Sequence, residues 1–556
     1  MEIIILITLS CISLVSIIGY GITFQSLFLK NKNILNLGLV GFLGLFFLSS
    51  ISYFTHFFLP HGETHNLILL IIGLIFFSYY FKNKKIDLKK EYFILLFFLL
   101  IGIFIGKSHD DFGYYHLPNA LHFVSNKIEF GLGNLNHGFK HHSSIFYLYS
   151  IFYLPYVKFY LFNVINFFFL LFSILFFTGS IIEDLNQSKF SKLTIIKVLF
   201  AILFIAIFNR VGEYGTDITG QLLAGVLLYL VYDLVIKKNI TLIDIFIIIT
   251  FIAYLITIKT YFALYVLFLL NLTYLIIDKG RLINNLIKSN LFLFLIFVGL
   301  MFVVINISST GCVIYPVSSL CYPKVFEWGL DLNTINYMSS WYEIWSKAGA
   351  GPDFIQNDPS KYIEGFNWLN NWVDKYFFTK VSDFLLSIFT GCLIFLLVFR
   401  KQLSFKFILD RDELYFFLTL LVLFMIWFYK FPSLRYGGHI LIISIIILLF
   451  ISSLKIEKLN FLLLKKKILI IFSISLFVFC LKNLNRLQKE FNYEAIEKFE
   501  NFPYFYVPKI KYEKIYINNE LVYKVDGMCW STPSPCLRNI NREIIRKYGF
   551  RIYFKK

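Results

Sequence analysis

The sequence predicts an all-α polytopic membrane protein with about 14 transmembrane helices and a small extracytoplasmic α+β tail. Of its 556 residues, 58% are hydrophobic and only 15% are charged, whereas soluble proteins carry about 25% charged residues. The mean hydropathy is +0.71, and the apolar residues form long continuous runs such as 290–307. These observations exclude a soluble globular enzyme, a disordered chain and a membrane β-barrel, whose strands alternate in short segments.

The net charge of +18 indicates a membrane rather than nucleic acid as the partner. Its lysines and arginines cluster in short segments between apolar runs, and short cytoplasmic loops of membrane proteins collect these residues. A span needs about 20 apolar residues. That length predicts spans near 1–22, 33–59, 66–81, 92–106, 159–182, 193–209, 217–236, 241–258, 260–277, 287–307, 379–399, 413–429, 437–454 and 468–482.

The segment 143–182 decides the orientation, because it could hold one span or two. With one span, preceded by an interfacial helix, every basic short loop falls on one face, which is then the cytoplasmic face. We therefore expect both termini to be extracytoplasmic. The many predicted spans indicate a multi-pass membrane protein, and we expect it in the bacterial inner membrane.

Three long segments then lie outside the membrane. Loops 107–142 and 308–378 interrupt a transmembrane domain of residues 1–482, and a small domain follows at 483–556. In this tail, alternating apolar residues around Asn518-Asn519 predict a hairpin, and a short helix is expected near 541–547.

The cysteines fit the same sidedness. Cys312 and Cys321 fall in one outside loop, and Cys529 and Cys536 fall in the tail. Two close pairs in an oxidising compartment suggest two disulfides; the alternative is that they are free thiols.

The first outside loop, residues 107–142, holds an acidic pair and several histidines. The candidate catalytic residues are Asp110 and Asp111, which follow a predicted span by four residues, and His116, which comes five residues after Asp111. Carboxylates at the membrane surface are costly unless they are used or paired. Because adjacent carboxylates repel, the pKa of one is expected to rise toward the range of a general base. The alternative is a capped helix start or a solvated loop.

A metal site is the competing hypothesis for this loop, which holds His109, His116, His122, His137, His141 and His142. Their spacing matches no common zinc pattern. A divalent cation held by Asp111 is the one cofactor that we consider.

Four further polar residues are candidates for substrate binding and lie at predicted outside ends of spans: Asp217, Lys259, Arg435 and His439. A lysine between two apolar segments either snorkels or binds an anion. Arginine at such a position suits phosphate, which it holds with a planar fork, or it anchors lipid head groups. Trp530, in the tail, is either a hydrophobic plug or a platform for a sugar ring.

The acidic pair after a span, with basic residues at later outside ends, resembles the GT-C class of glycosyltransferases. The string Asp111-Phe-Gly-Tyr-Tyr-His-Leu-Pro is similar to a group of bacterial multispanning proteins placed near that class. In typical members the acidic loop follows the first span, whereas here it follows the fourth. Either the first three spans are an addition, or the catalytic analogy does not hold.

The resemblance implies an enzyme that takes a sugar from a polyprenyl-phosphate donor on the extracytoplasmic face. Asp111 would be the general base or an ion ligand, supported by Asp110, and Lys259 and Arg435 would stabilise the phosphate leaving group. The alternatives are a polysaccharide polymerase, a flippase or transporter for lipid-linked sugars, and a non-enzymatic envelope protein.

Overall fold

A computed structural model of the chain describes residues 1–30, 34–83, 88–213, 215–277, 280–351, 358–407, 409–456, 461–492 and 501–555. Parts of predicted loops and of the tail, among them residues 84–87, 278–279, 352–357, 457–460 and 493–500, lie outside that description. The described chain is mostly helical. Its helices are α1 Glu2–Phe24, α2 Leu37–His56, α3 Glu63–Asn83, α4 Lys90–Leu99, α5 Leu117–Ser125, α6 Ser144–Ile151, α7 Phe162–Asn186, α8 Lys192–Ile207, α9 Thr216–Lys237, α10 Leu242–Ile258, α11 Leu270–Ile277, α12 Gly280–Ile287, α13 Asn290–Thr310, α14 Leu332–Lys347, α15 Pro359–Ile363, α16 Leu369–Trp372, α17 Ser382–Phe399, α18 Arg411–Lys430, α19 Gly438–Ser452 and α20 Phe461–Phe491. The strands are β1 Leu403–Phe405, β2 Leu454–Ile456, β3 Glu513–Ile517, β4 Glu520–Lys524, β5 Cys536–Leu537, β6 Arg542–Lys547 and β7 Phe550–Lys555.

The protein is an α-helical membrane protein, but the predicted count of 14 spans is not supported. Within the described ranges, nine helices are long and apolar enough to cross a bilayer: Glu2–Leu29, Leu37–His56, Glu63–Asn83, Phe159–Asn186, Thr216–Lys237, Asn290–Thr310, Leu369–Phe399, Arg411–Lys430 and Leu463–Phe491. The predicted spans 92–106, 193–209, 241–258, 260–277 and 437–454 form α-helices of 17 residues or fewer. The chain breaks at Lys259, where α10 ends and a 3-10 turn over Thr260–Leu269 begins.

Helix α7 forms the centre of the bundle. Its apolar side chains, Phe-rich along the whole length, are almost all buried. It packs against α2, α8 and α9, and α1 packs against α2 and α3 at one side. Outer helices such as α13 and α18 leave large apolar side chains exposed, as is expected of helices that face lipid.

The segment 143–182 contains one long helix. The short α6 ends at Ile151, a turn through Pro155 to Lys158 follows, and α7 then runs on from Phe162. This arrangement agrees with the prediction of one span preceded by a short helix.

The tail contains two hairpins rather than a hairpin and a helix. Strands β3 and β4 pair antiparallel across Asn518 and Asn519, which both have positive φ, and β5 adds in parallel to β4. The helix predicted near 541–547 is wrong, because β6 and β7 form a second antiparallel pair there. The turn residues Tyr548 and Gly549 have φ of 53° and 78°, the conformation of a two-residue hairpin turn.

The predicted domain boundary at residue 483 also falls inside a helix. Helix α20 continues to Phe491, eight residues past that boundary. Within the tail, a small core of Val522, Leu537, Ile544 and Tyr553 is shared with Leu132, Leu135 and Phe139 of the first outside loop. The tail therefore packs on loop 107–142, and a second small cluster of Val525, Cys529 and Cys536 lies within the tail itself.

Candidate functional site

Four charged residues from distant parts of the chain meet in one cluster. The guanidinium of Arg435 donates to Oδ2 of Asp111 and to Oδ2 of Asp217, each at 2.8 Å. Lys259 donates to the other oxygen of Asp217. We call Asp111, Asp217, Lys259 and Arg435 the charge cluster. All four were candidate residues in the sequence, and Asp111 and Arg435 lie 324 positions apart.

Helix ends position the two carboxylates. Asp217 is in the first turn of α9, where the positive end of the helix dipole favours an anion. Asp111 precedes the turn Phe112–His116, and its backbone N–H donates to Nδ1 of His109 at 3.1 Å. Both carboxylates therefore sit where a helical segment begins.

Two chain breaks position the cations. Lys259 is extended, with φ −156° and ψ 126°, between the end of α10 and the following 3-10 turn. Arg435 lies in a short turn before α19, and that turn closes through Gly437 at φ +91°. A Cβ on Gly437 would come within 2.3 Å of the hydroxyl of Tyr261, so only glycine fits there.

Aromatic rings flank the two cations. The guanidinium carbon of Arg435 lies 5.3 Å from the ring centre of Trp345 and 5.8 Å from that of Tyr436. The ammonium of Lys259 lies 4.5 Å from the ring centre of Tyr436. Trp345 is on α14, so the second outside loop lies against the charge cluster. Cation–π contacts of this kind hold the charged groups in place without neutralising them.

The charge cluster is partly open. The side chain of Asp217 is 10% exposed, whereas those of Asp111, Lys259 and Arg435 are 26–29% exposed. A ligand could thus reach three of the four groups, and Asp217 is the buried anchor that holds the two cations side by side.

The electrostatics of Asp111 differ from the prediction. Burial has the largest single effect and acts to raise the pKa of Asp111, but the interactions with Arg435, His116 and His109 together hold that pKa below its ordinary value of 3.8. The expectation of a raised pKa, from repulsion by Asp110, is therefore wrong for Asp111. In the described structure Asp110 is exposed and has no ion-pair or hydrogen-bond partner, so it lies outside the charge cluster.

The two predicted histidines are not part of the charge cluster. His116 is 1% exposed, its ring lies against Tyr115 and Phe146, and neither ring nitrogen has a hydrogen-bond partner within the described chain. Burial lowers the pKa of His116 to about 3, so it is neutral. His439 faces Phe384, with ring centres 4.8 Å apart, and Gln221 lies between it and the backbone of Arg435.

The remaining histidines of the loop bind aromatic and polar partners. Nε2 of His141 lies 2.7 Å from the hydroxyl of Tyr342, and Nε2 of His142 lies 3.0 Å from that of Tyr53. His122 pairs with Glu129 at 3.0 Å. Over the described ranges, no three His, Cys, Asp or Glu side chains are grouped as metal ligands.

The tail covers the back of the acidic loop. The backbone N–H of Trp530 donates to the carbonyl of Gly113 at 2.9 Å, and a Cβ on Gly113 would lie 2.2 Å from the indole ring. Trp530 therefore packs against the loop, in agreement with the predicted role of a hydrophobic plug. Disulfides Cys529–Cys536 and Cys312–Cys321 are both formed, and the first closes the turn that carries Trp530.

Sequence reasoning missed the aromatic side chains of the site, chiefly Trp345, Tyr342 and Tyr436. The signal was present in α14, where Trp341 and Trp345 lie four residues apart and so share one helix face. That spacing predicts an aromatic face, but it does not predict which charged group the face will contact.

The comparisons place the chain in a family without a described activity. The family described as "Domain of unknown function (DUF8201)" matches residues 1–442, and the chain belongs to it. The matched range holds the whole charge cluster but ends before the tail. No curated protein and no solved structure matches the chain.

Proposed function

We propose that this member of the family is a GT-C-like glycosyltransferase of the bacterial inner membrane. It transfers a sugar from a polyprenyl-phosphate donor to an envelope glycan, lipid or protein on the extracytoplasmic face. The observation that carries this proposal is the charge cluster. Two cations and two carboxylates, all partly or largely desolvated, meet at helix ends where a lipid phosphate would lie.

The donor phosphate is the ligand to which Arg435 and Lys259 are best suited. Arg435 has a planar fork that matches phosphate oxygens, and Lys259 adds a second positive charge. In the resting protein Asp111 and Asp217 neutralise both cations. A phosphate that binds Arg435 competes with Asp111, which is the more exposed carboxylate, while Asp217 keeps the cations in position.

Competition between the donor phosphate and Asp111 for Arg435 would make Asp111 a stronger base. Once phosphate takes the place of Asp111 on Arg435, the positive charge that lowers the pKa of Asp111 is offset by the new anion. The pKa of Asp111 then rises, since its burial acts in that direction. The carboxylate becomes basic only when the donor is bound, which limits proton abstraction to the loaded enzyme.

In the transfer step, one carbon–oxygen bond forms and another breaks. Asp111 removes the proton from an acceptor hydroxyl, and the acceptor oxygen forms a bond to the anomeric carbon of the sugar. The bond from that carbon to the phosphate oxygen breaks, and the phosphate keeps the electron pair. Arg435 and Lys259 stabilise the negative charge that develops on the leaving phosphate.

Arg435 provides the test of donor binding. Arg435→Lys keeps the charge but loses the planar fork, and Arg435→Ala loses both. We expect Arg435→Lys to weaken the binding of a polyprenyl-phosphate sugar and Arg435→Ala to weaken it more, by about tenfold or more, as for a lost hydrogen bond to a charged group. Binding is measured on purified protein in detergent.

Arg546→Lys is the matched control, because Arg546 pairs with Glu520 on the surface of the tail. It should bind donor like the parent. If both Arg435 variants also bind like the parent, Arg435 anchors lipid head groups and the donor site lies elsewhere.

A further inference from the structure

A second candidate ligand site lies away from the charge cluster, at the outer ends of α2 and α13. It is an open groove of about 400 Å³, within the size range of about 300–1,000 Å³ that is common for small-molecule sites. It is lined by Phe54, Phe57, Phe58, Lys127, Met301 and Phe550. Five of these side chains are apolar, and the sixth is a lysine.

The apolar walls come from helices that face lipid. Phe54 is 47% exposed and Phe58 is 62% exposed, and the ring of Phe54 lies 6.0 Å from that of Phe297 on α13. Met301 lies about two and a half turns before the end of α13 at Thr310, so the groove runs inward from the helix ends. A hydrocarbon chain that enters from the bilayer would lie along this wall.

Lys127 is held at the outer end of the groove. Nε2 of His56, the last residue of α2, lies 3.0 Å from the carbonyl oxygen of Asn126, and the N–H of Ile128 donates to the carbonyl of His56 at 3.0 Å. These two contacts fix the chain on either side of Lys127 to the end of a spanning helix. The ammonium is therefore level with the lipid head groups.

The charge of Lys127 is not neutralised by the protein. Its ammonium lies 4.4 Å from the ring centre of Phe550, and no carboxylate within the described residues pairs with it. The neighbouring Arg551, by contrast, pairs with Glu129 and Glu520. A free ammonium above an apolar groove matches an amphiphile with an anionic head and a hydrocarbon chain.

We propose that this groove binds an anionic phospholipid, with the phosphate at Lys127 and an acyl chain along Phe54, Phe58 and Met301. The bound lipid would contact α2, α13 and the second tail hairpin at once, through Phe550 of β7. It would therefore hold the tail against the membrane surface, independently of any reaction at the charge cluster.

Native mass spectrometry of the purified full-length protein tests this inference, with phosphatidylglycerol and phosphatidylcholine as probes. The parent should bind phosphatidylglycerol more tightly than phosphatidylcholine. Lys127→Gln should weaken phosphatidylglycerol binding by about fivefold, the effect of one lysine near a charged membrane surface. It should weaken phosphatidylcholine binding less, because the choline group offsets the charge of that lipid's phosphate. Met301→Trp fills the groove and should reduce binding of both lipids.

Lys514→Gln is the matched control, since Lys514 is exposed on β3 and lines no part of the groove. It should behave like the parent, and each variant is first checked for an unchanged melting temperature. Equal binding of both lipids by the parent, or an unchanged preference in Lys127→Gln, would overturn the proposal. Displacement of phosphatidylglycerol by a polyprenyl phosphate, dependent on Lys127, would overturn it by assigning the groove to the sugar donor.

Discussion

Asp217 determines whether the charge cluster can form. It accepts hydrogen bonds from both Lys259 and Arg435, and it is the most buried of the four side chains. Removing one partner of a buried ion pair leaves the other charges uncompensated, which typically costs about 3–5 kcal/mol. The value should be lower here, because Lys259 and Arg435 are partly exposed.

We expect Asp217→Asn to destabilise the folded protein clearly and Asp110→Asn to leave its stability unchanged. Both changes replace a carboxylate by an amide of the same size, but Asp110 is exposed and outside the charge cluster. Thermal unfolding of the two purified variants in the same detergent measures the difference. Equal melting temperatures would mean that the cations do not depend on Asp217.

The cost of placing charges at a membrane surface made the four members of the charge cluster predictable from the sequence. What could not be predicted was their pairing, since 324 positions separate Asp111 from Arg435. The folded chain brings the turn after Asp111 against the start of α9, the end of α10 and the turn before α19. His116 shows the reverse error. Its distance along the chain from Asp111 suggested a catalytic partner, but the sequence does not show that its ring turns into the apolar core.

The helices were predicted well where apolar runs are long, and less well where they are short. Composition alone finds an apolar run such as α13, but it does not show that α10 ends at Ile258 or that a 3-10 turn follows. In the tail, Asn518-Asn519 is a strong turn signal and its hairpin is confirmed. Tyr548-Gly549 is a weaker signal, and strands β6 and β7 around it were taken for a helix.

The sidedness of the chain is a prediction from the placement of its positive charges. Strands β1 and β2, which lie in two of the basic loops, pair with each other, so these loops share one face of the membrane. Arg435 precedes α19 and β2 follows it, so the charge cluster and this strand pair lie at opposite ends of that helix. The basic face is expected to be cytoplasmic.

Reporter fusions along the chain test this orientation. A reporter that is active only in the cytoplasm should be active after Lys90 and after Lys288, and one that is active only outside should be active at Ala350. These expectations follow from the positive charge of the first two loops and from the disulfide Cys312–Cys321 in the third. Outside activity after Lys288, or cytoplasmic activity at Ala350, would reverse the assignment of every loop.

Sugar transfer by purified protein in lipid vesicles, with a labelled polyprenyl-phosphate sugar as donor, is the most direct measurement of the proposed activity. Asp111→Asn keeps the size of the side chain but removes its basicity and charge. It should lower the transfer rate by about a hundredfold or more, the usual contribution of a general base, while Asp110→Asn transfers like the parent. Full activity in Asp111→Asn would contradict the catalytic role of Asp111, and transfer by neither the parent nor any variant would contradict the proposed function itself.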